Sequence, residues 1–395
     1  MVSQGEQFPQ RPAGAALAGV RVLDMATLFP GPLAAAMLAD FGADVVKVEG
    51  LAGDPLRSTG EMKDGRTYVA SLTNRNKRAV QLDLDSAGGQ ADLRRLGDVA
   101  DVLIANQPPA LLARWGMDWA QLSARNPRAI LVLVSGFGAS GPRAGAVAAG
   151  TQCEAFAGLL HLIGEPDGRP MPPSFPLGDI TGAIQAVNGA LMALYWRDAN
   201  GGTGQVVDVA MYEGMLPYLG PLAAAWTPDK PVPQRSGGRL AGASPRNVYR
   251  TRDNRWISLA ASTDAQSSRV LQIIGHDNEA TRAKYGRVAG RLEHAEELDR
   301  LVADWIVMQT AADALAAFEA ARVPVAPLND LQSLQADPHA RARGNFVQMA
   351  DAHLGTLTVP GPVPALSATP GAIRSAGPQP GQHTQEVLRD WLGEG

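Results

Sequence analysis

The chain has 395 residues, with 35 Lys+Arg against 39 Asp+Glu and a net charge of −4. At 45% hydrophobic and 19% charged it carries enough apolar side chain for a sizeable core, which excludes global disorder. Its length implies two domains, or one large domain with an insertion. No basic excess marks the chain for nucleic acid or an anionic membrane. One cysteine, Cys153, excludes an internal disulfide framework and a Cys-based zinc site.

Met1 to Gln7 shows neither a basic nor an apolar leader region, so no secretory signal is expected. The lone thiol suits a reducing compartment, and a cytoplasmic location is the expectation. Ile180 to Trp196 and Gly214 to Pro228 are the longest charge-free apolar stretches. Both are interrupted by Thr, Gln, Asn, Gly or Pro, and are expected as buried helices rather than membrane spans.

Residues 1–16 are polar and Gly/Ala/Pro-rich, and are expected to form a loose arm. Order is expected from a β-rich run at Val20–Met25. Pro30-Gly31-Pro32 opens a helix through Leu33–Phe41, Gly42 stops it, and Ala43–Val48 reads as a second strand. Strand, short helix and strand with tight links make a parallel βαβ unit. Further strands are expected at Arg78–Leu84, Asp101–Ala105, Ala129–Ser135 and Gln205–Ala210. Helical segments lie between them at Ser86–Leu96, Ala110–Trp115, Trp119–Ala124 and Ile180–Arg197, with a turn at Gly201–Gly204. The fold class is α/β, doubly wound, over roughly the first 215 residues.

Beyond this the texture changes. Pro217, Pro221, Pro228, Pro231 and Pro233, followed by Ser236-Gly237-Gly238, predict a linker. Val248–Arg250 and Trp256–Ala260 flank Asp253-Asn254, a hairpin signal. Amphipathic helices are expected near 264–275, 293–306 and 311–321, and Pro324 and Pro327 bracket an exit linker. The remainder holds two short strand candidates and a closing helix, His383–Leu392. The domains read as 1–227, the first part of a large domain; 228–325, a smaller inserted α+β domain; and 326–395, a linker and C-terminal segment returning to the large domain.

Gly136-Phe137-Gly138-Ala139-Ser140-Gly141 formally matches GxGxxG after a strand. Pro142 follows at once and no amphipathic helix opens, so it reads as a tight turn and not a dinucleotide site. The six histidines show no metal-ligand spacing, and no metal is expected. No GxSxG nucleophile elbow occurs. Asn74-Arg75-Asn76-Lys77-Arg78 is a short basic run entering a strand: either a solvated loop or a seat for a phosphate-rich ligand. Asp179, in Leu177-Gly178-Asp179-Ile180-Thr181-Gly182, stands where an N-cap belongs, before the most apolar long helix. The same place suits a nucleophile. A helix N-terminus stabilises a carboxylate, flanking glycine lets a bulky substrate approach, and an aspartate attacks an activated acyl group to form an anhydride.

Ten runs in order resemble one family: FGADVVKVE (41–49), GDP (53–55), NRNKRAVQLDL (74–84), ADVLIAN (100–106), NPRAILVLVSGFGASGPRAG (126–145), AGLLHLIGEPDG (157–168), PLGDITGAI (176–184), GTGQVVDVAMYEG (202–214), ADPHARARG (336–344) and PGQHTQEVL (380–388). The chain resembles the family III CoA-transferases, the CaiB/BaiF family, which includes formyl-CoA transferase, carnitine CoA-transferase and α-methylacyl-CoA racemase. The resemblance implies a Rossmann-like large domain with a smaller inserted domain, in a homodimer whose chains interlock like linked rings. It implies coenzyme A as the acyl carrier at the large domain, with the acyl end near the partner's small domain, and an acyl-CoA and a carboxylic acid as substrates.

By this resemblance Asp179 is the catalytic nucleophile, forming an aspartyl–acyl anhydride and then an aspartyl-CoA thioester. Backbone donors at Phe29 and Gly31, and at Gly237 and Gly238, would receive the attacked carbonyl's charge. Asn106, Arg114 and the Leu82-Asp83-Leu84 stretch match nucleotide-binding positions. Gly50 and Asp85 stand where the family has Arg and Lys, with Arg75, Lys77, Arg78, Arg57 or Arg143 as compensating cations. The racemase branch uses a His–Asp pair, but Ala148-Ala149-Gly150-Thr151-Gln152 lacks the histidine. A transferase glutamate falls on Gly150, and Glu154 reads more readily as an ordinary helix residue than as its substitute. The reading is a CoA-transferase. An acyl-CoA racemase or isomerase, or a fold that binds a ligand without transfer, are the alternatives.

Overall fold

The computed structural model describes residues 14–240 and 242–393, so most of the expected loose arm, residues 1–13, lies outside the described residues. The described residues fall into two compact units. The first takes in those of Met1–Leu159, Pro173–Ala225 and Pro338–Gly395; the second is Leu160–Pro172 with Trp226–Asp337.

The first unit is built on a six-stranded parallel sheet: β1 (Arg21–Asp24), β2 (Asp44–Glu49), β3 (Arg78–Gln81), β4 (Val102–Ala105), β5 (Ile130–Ser135) and β6 (Gln205–Ala210). The spatial order is β3-β2-β1-β4-β5-β6. Chain progression therefore reverses between β1 and β4, the kind of position at which open parallel sheets bind ligands. β1, β2 and β4 are buried almost throughout, as strands covered on both faces must be.

Local chemistry explains the boundaries. Helix α1 (Pro30–Asp40) has proline at its first position, where a missing N–H costs nothing, and Gly42 takes φ 98° just past its end. Ser86 caps the helix Ala87–Asp98, its Oγ accepting from the Gly89 N–H at 3.0 Å. One sheet face packs Leu23, Val46, Leu103 and Leu131 against Leu93, Leu96, Leu112 and Leu122, and against Val387 and Trp391 of the closing helix Thr384–Leu392. Over β5 and β6 lies a long helix, Leu177–Ala199, designated α3 below, packed at close range by small residues: a Cβ on Gly189 would collide with Val207. Ala183, Ala186, Ala190 and Ala193 form its buried stripe.

The two apolar stretches expected as buried helices do become helical, but burial is partial. α3 buries one stripe, while Leu191, Met192, Tyr195 and Trp196 stay exposed. The helix Leu216–Ala225 occupies part of the expected linker and buries none of its residues. Only Leu219 and Leu222 of that helix are half-buried. Among the described residues no single helix is long and apolar enough to cross a membrane.

In the second unit, Arg246–Arg250 and Trp256–Ala260 form the expected antiparallel hairpin, with Asn254 at φ 59° in its turn. Val325–Pro327, read as an exit linker, is instead a third antiparallel strand against Trp256–Ala260. Among the described residues five helices, not three, lie between the second and third of these strands: Asp264–Ile273, Glu279–Tyr285, Val288–Glu293, Ala295–Ile306 and Ala311–Ala320. Ile257, Leu259, Val270, Leu298, Val302 and Phe318 fill the core of the unit.

Candidate active site

At the reversal point between β1 and β4 the chain leaves β1 in a turn that leads into α1. Asn106, just past β4, clamps that turn: its Oδ1 accepts from the Thr27 N–H at 2.9 Å and its Nδ2 donates to the Thr27 carbonyl at 2.8 Å. The next residue, Leu28, is held at φ 63°, a conformation that costs a branched side chain energy and persists only where neighbours over-determine it. Asp54 supplies that constraint by accepting from the Leu28 N–H at 3.0 Å. Burial opposes the Asp54 charge, but Lys47 and the N–H groups of Leu28 and Leu56 hold its carboxyl below the usual range. Phe29 occupies the N-cap position of α1, and Gly31 is its second residue. A Cβ on Gly31 would collide with Ala26. The first N–H groups of a helix have no intrahelical acceptor, so this turn retains donors for a ligand.

The basic run at 74–78 serves the interior. Lys77 is fully buried, and its Nζ donates to Asp24 Oδ2 at 2.8 Å, the Pro32 carbonyl at 2.7 Å and Asn74 Oδ1 at 2.9 Å. Burial pushes its ammonium down to about 8, against the opposing pull of Asp24. Arg75 grips Asp40, with contacts from 2.6 Å. Arg78 bridges Asp44 to Glu386 and Asp390, pinning the closing helix to the sheet. The expectation that Arg75 and Lys77 meet phosphate is corrected: their donors are spent on buried carboxylates that sequence proximity did not reveal. Arg57 likewise pairs with Glu49.

Arg114 is exposed and pairs with Asp85 at 3.0 Å, which brings it beside the Leu82-Asp83-Leu84 stretch leaving β3. Leu82 turns into the core, Asp83 is exposed, and Leu84 is half-buried. The Asp85 carboxylate, expected as a lost cation, thus anchors a cation from another element. Arg143 is exposed, its guanidinium 4.9 Å from the Phe156 ring centre and 5.4 Å from that of Phe137.

Asp179 lies in the first turn of α3, whose cap position is Pro176. It is therefore not the N-cap: the helix begins three residues earlier than the sequence implied. A second helix, α2 (Gly150–Phe156), approaches α3 so closely that a Cβ on Gly150 would collide with the Asp179 carboxylate, and one on Gly178 would collide with the Gly150 backbone. Glycine at both positions permits this approach. Burial, reinforced by the negative charge of Glu154, pushes the Asp179 carboxyl up to about 6. A part-buried carboxylate of raised basicity is a competent nucleophile, still largely ionised at neutral pH.

Glu154, read from the sequence as an ordinary helix residue rather than a substitute for the transferase glutamate, is buried beside the start of α3. It is 1% exposed, and its Oε1 accepts from the Gly178 N–H at 2.9 Å. The available signal was that it is the only Asp, Glu, Lys or Arg between Arg143 and Glu165. Neighbouring Cys153 is buried, its thiol pushed up to about 11 by burial and by Asp179 and Glu154, which makes it an unreactive neighbour at neutral pH.

Gly237 and Gly238 belong to the second unit. Gly237, at φ 63°, donates its N–H to the Gly164 carbonyl at 3.1 Å, so this expected oxyanion donor is already engaged. A Cβ on Gly238 would collide with the Asn247 side chain.

The chain is 36% identical over 389 residues to a succinyl-CoA–D-citramalate CoA-transferase of Chloroflexus aurantiacus, covering 98% of this chain and 96% of that protein. It is 37% identical to the beta subunit of a succinyl-CoA–L-malate CoA-transferase of the same organism, covering 95% and 94%. The crystal structure of a CaiB/BaiF family protein from Brucella suis superposes with a TM-score of 0.83 at 26% identity, covering 96% of this chain and all of that one. The family model for CoA-transferase family III matches residues 17–384, and on these grounds the chain is an enzyme that belongs to CoA-transferase family III.

Proposed function

We propose that the enzyme moves CoA from an acyl-CoA to a carboxylic acid with Asp179 as covalent nucleophile. An Asp179 oxygen attacks the thioester carbonyl; the C–S bond breaks, leaving an aspartyl–acyl anhydride and CoA thiolate. The thiolate attacks the Asp179 carbonyl, releases the donor carboxylate and forms an aspartyl-CoA thioester. The acceptor carboxylate then attacks this thioester, and the thiolate collects the new acyl group and frees Asp179. Each intermediate keeps the activation of the original thioester, so no ATP is consumed.

The observation that carries this reading is the Asp179 carboxyl, part-exposed in the first turn of α3 and pushed up to about 6. The titratable side chains around it are Glu154 and Cys153, not histidine, which favours transfer over His–Asp racemisation. For CoA, the turn clamped by Asn106 and the Arg114–Asp85 pair beside Leu82–Leu84 are the proposed contacts, with Arg143 as a further exposed cation. Relatives named for succinyl-CoA, citramalate and malate favour dicarboxylic acids as substrates. The exposed apolar row on α3 and the unburied helix Leu216–Ala225 favour a second copy of the chain as their cover, in keeping with an interlocked homodimer. The test is peptide mass spectrometry of Asp179 after incubation with succinyl-CoA, beside Asp179→Ala. The expected result is a CoA or acyl adduct on that peptide and no transfer by the variant; full turnover by the variant removes the proposal.

A further inference from the structure

Within the first unit, Glu154 is a buried acid for which the transfer steps above supply no role. Several acids are buried in this unit, and among the described residues Glu154 is the one with no cation against it. Lys77 answers Asp24, Lys47 answers Asp54, Arg75 answers Asp40, and Arg66 answers Asp351. Glu154 has only the Gly178 N–H on Oε1, at 2.9 Å, while its Oε2 is buried without a hydrogen-bond partner. A carboxylate left so incompletely satisfied costs the fold stability. It sits in the helix turn that starts at Gly150, against which the Asp179 carboxylate is packed.

We infer that Glu154 is a positioning residue that loads the nucleophile electrostatically, destabilising the free Asp179 carboxylate so that covalent attachment of the acyl group relieves the strain. Two effects combine. Its Oε1 fixes the Gly178 N–H, and with it the first turn that aims Asp179. Its charge repels an ionised Asp179, and that repulsion disappears when Asp179 becomes an uncharged anhydride or thioester. The same repulsion returns when Asp179 is released as carboxylate, so Glu154 shifts the balance between free and covalent enzyme without being consumed and without moving a proton. The inference rests on Asp179 being the nucleophile.

The other groups around Asp179 do not substitute for Glu154. From α2 only Cys153 joins it as a titratable side chain, and its thiol stays neutral. α1 is uncharged from Pro30 to Ala39, and β5 carries no charge. On β6, Asp208 is occupied by the Ala139 N–H at 2.9 Å, and beyond β6 Glu213 accepts from the Tyr212 hydroxyl at 3.3 Å.

The experiment is Glu154→Gln in the full-length enzyme. Glutamine keeps an oxygen for the Gly178 N–H and removes the charge. Two readouts are taken: the pH profile of kcat/KM, and the fraction of enzyme held as covalent adduct after mixing with succinyl-CoA, read by intact mass. Expected are a shift of the acid limb to lower pH by about half a unit or more, and a fall in adduct relative to free enzyme by the matching factor of about three or more. Glu154→Asp, which keeps a charge, should hold the acid limb nearer the wild-type position than Gln does. An unchanged limb and adduct fraction in the Gln variant overturn the inference. In the wild type alone, an acid limb below about pH 5 overturns it too, so a poorly folding variant does not shield it. Retained turnover by Asp179→Asn would sink the nucleophile reading itself, whereas an inactive Asp179→Asn beside an unshifted Glu154→Gln sinks only this inference.

Discussion

Asp179→Asn should stabilise the protein as it silences it, and the pH dependence of that gain is a stringent check on the site. The Asp179 carboxyl is pushed from 3.8 to about 6 by burial and by Glu154. At about 1.36 kcal/mol per tenfold, holding it ionised in the folded state costs up to about 3 kcal/mol. The side chain is only part-buried, and water screening reduces this to about 1–2 kcal/mol. Because the folded value lies above the unfolded one, the protonated acid favours the fold below pH 3.8, and that contribution is lost as pH rises through about 6. Asparagine never ionises and escapes the loss. Thermal unfolding of wild type and variant should therefore coincide near about pH 4 and separate above about pH 7, the variant melting roughly 1–2 °C higher. A variant that is less stable at high pH, or a difference that does not vary with pH, would refute the assignment of a strained carboxylate to this turn.

Gly150→Ala places a methyl group against the Asp179 carboxylate, and the expected result is at least a tenfold loss in kcat, about 1.4 kcal/mol, in a CoA-exchange assay; wild-type kcat would mean that the two helices do not meet as described. Lys77→Met removes the main cation facing Asp24 and should cost about 3–5 kcal/mol in urea unfolding while leaving CoA affinity unchanged. A variant of normal stability with much weaker CoA binding would restore Lys77 to the phosphate site.

The large-domain sheet was legible because its signals are local. Uninterrupted apolar runs such as Ala129–Ser135, stop residues such as Gly42 and caps such as Ser86 act within a few residues of where they stand. The place of Asp179 at the start of a long apolar helix was legible for the same reason, although the helix opens three residues before the expected start. The basic run was misread because composition reveals charge but not its partner: Arg78 meets Glu386 and Asp390 more than 300 positions along the chain. Val325–Pro327 was missed because Pro324 before it and Pro327 at its end suggested a break, whereas a short edge strand tolerates proline at its margins.

The sequence by itself determined where strands and helices form, the family resemblance, and which aspartate stands at the mouth of the long helix. Backbone preference and hydrophobic period operate over short spans, so they can be read without coordinates. Only the tertiary structure decided that Lys77 and Arg75 belong to the interior, that Asn106 and Asp54 hold the Thr27–Leu28 turn, and that Glu154 comes to lie beside Asp179. Charge pairing, desolvation and the close approach of two glycine-bearing helices depend on distances between segments remote in sequence, and those distances exist only once the chain is packed.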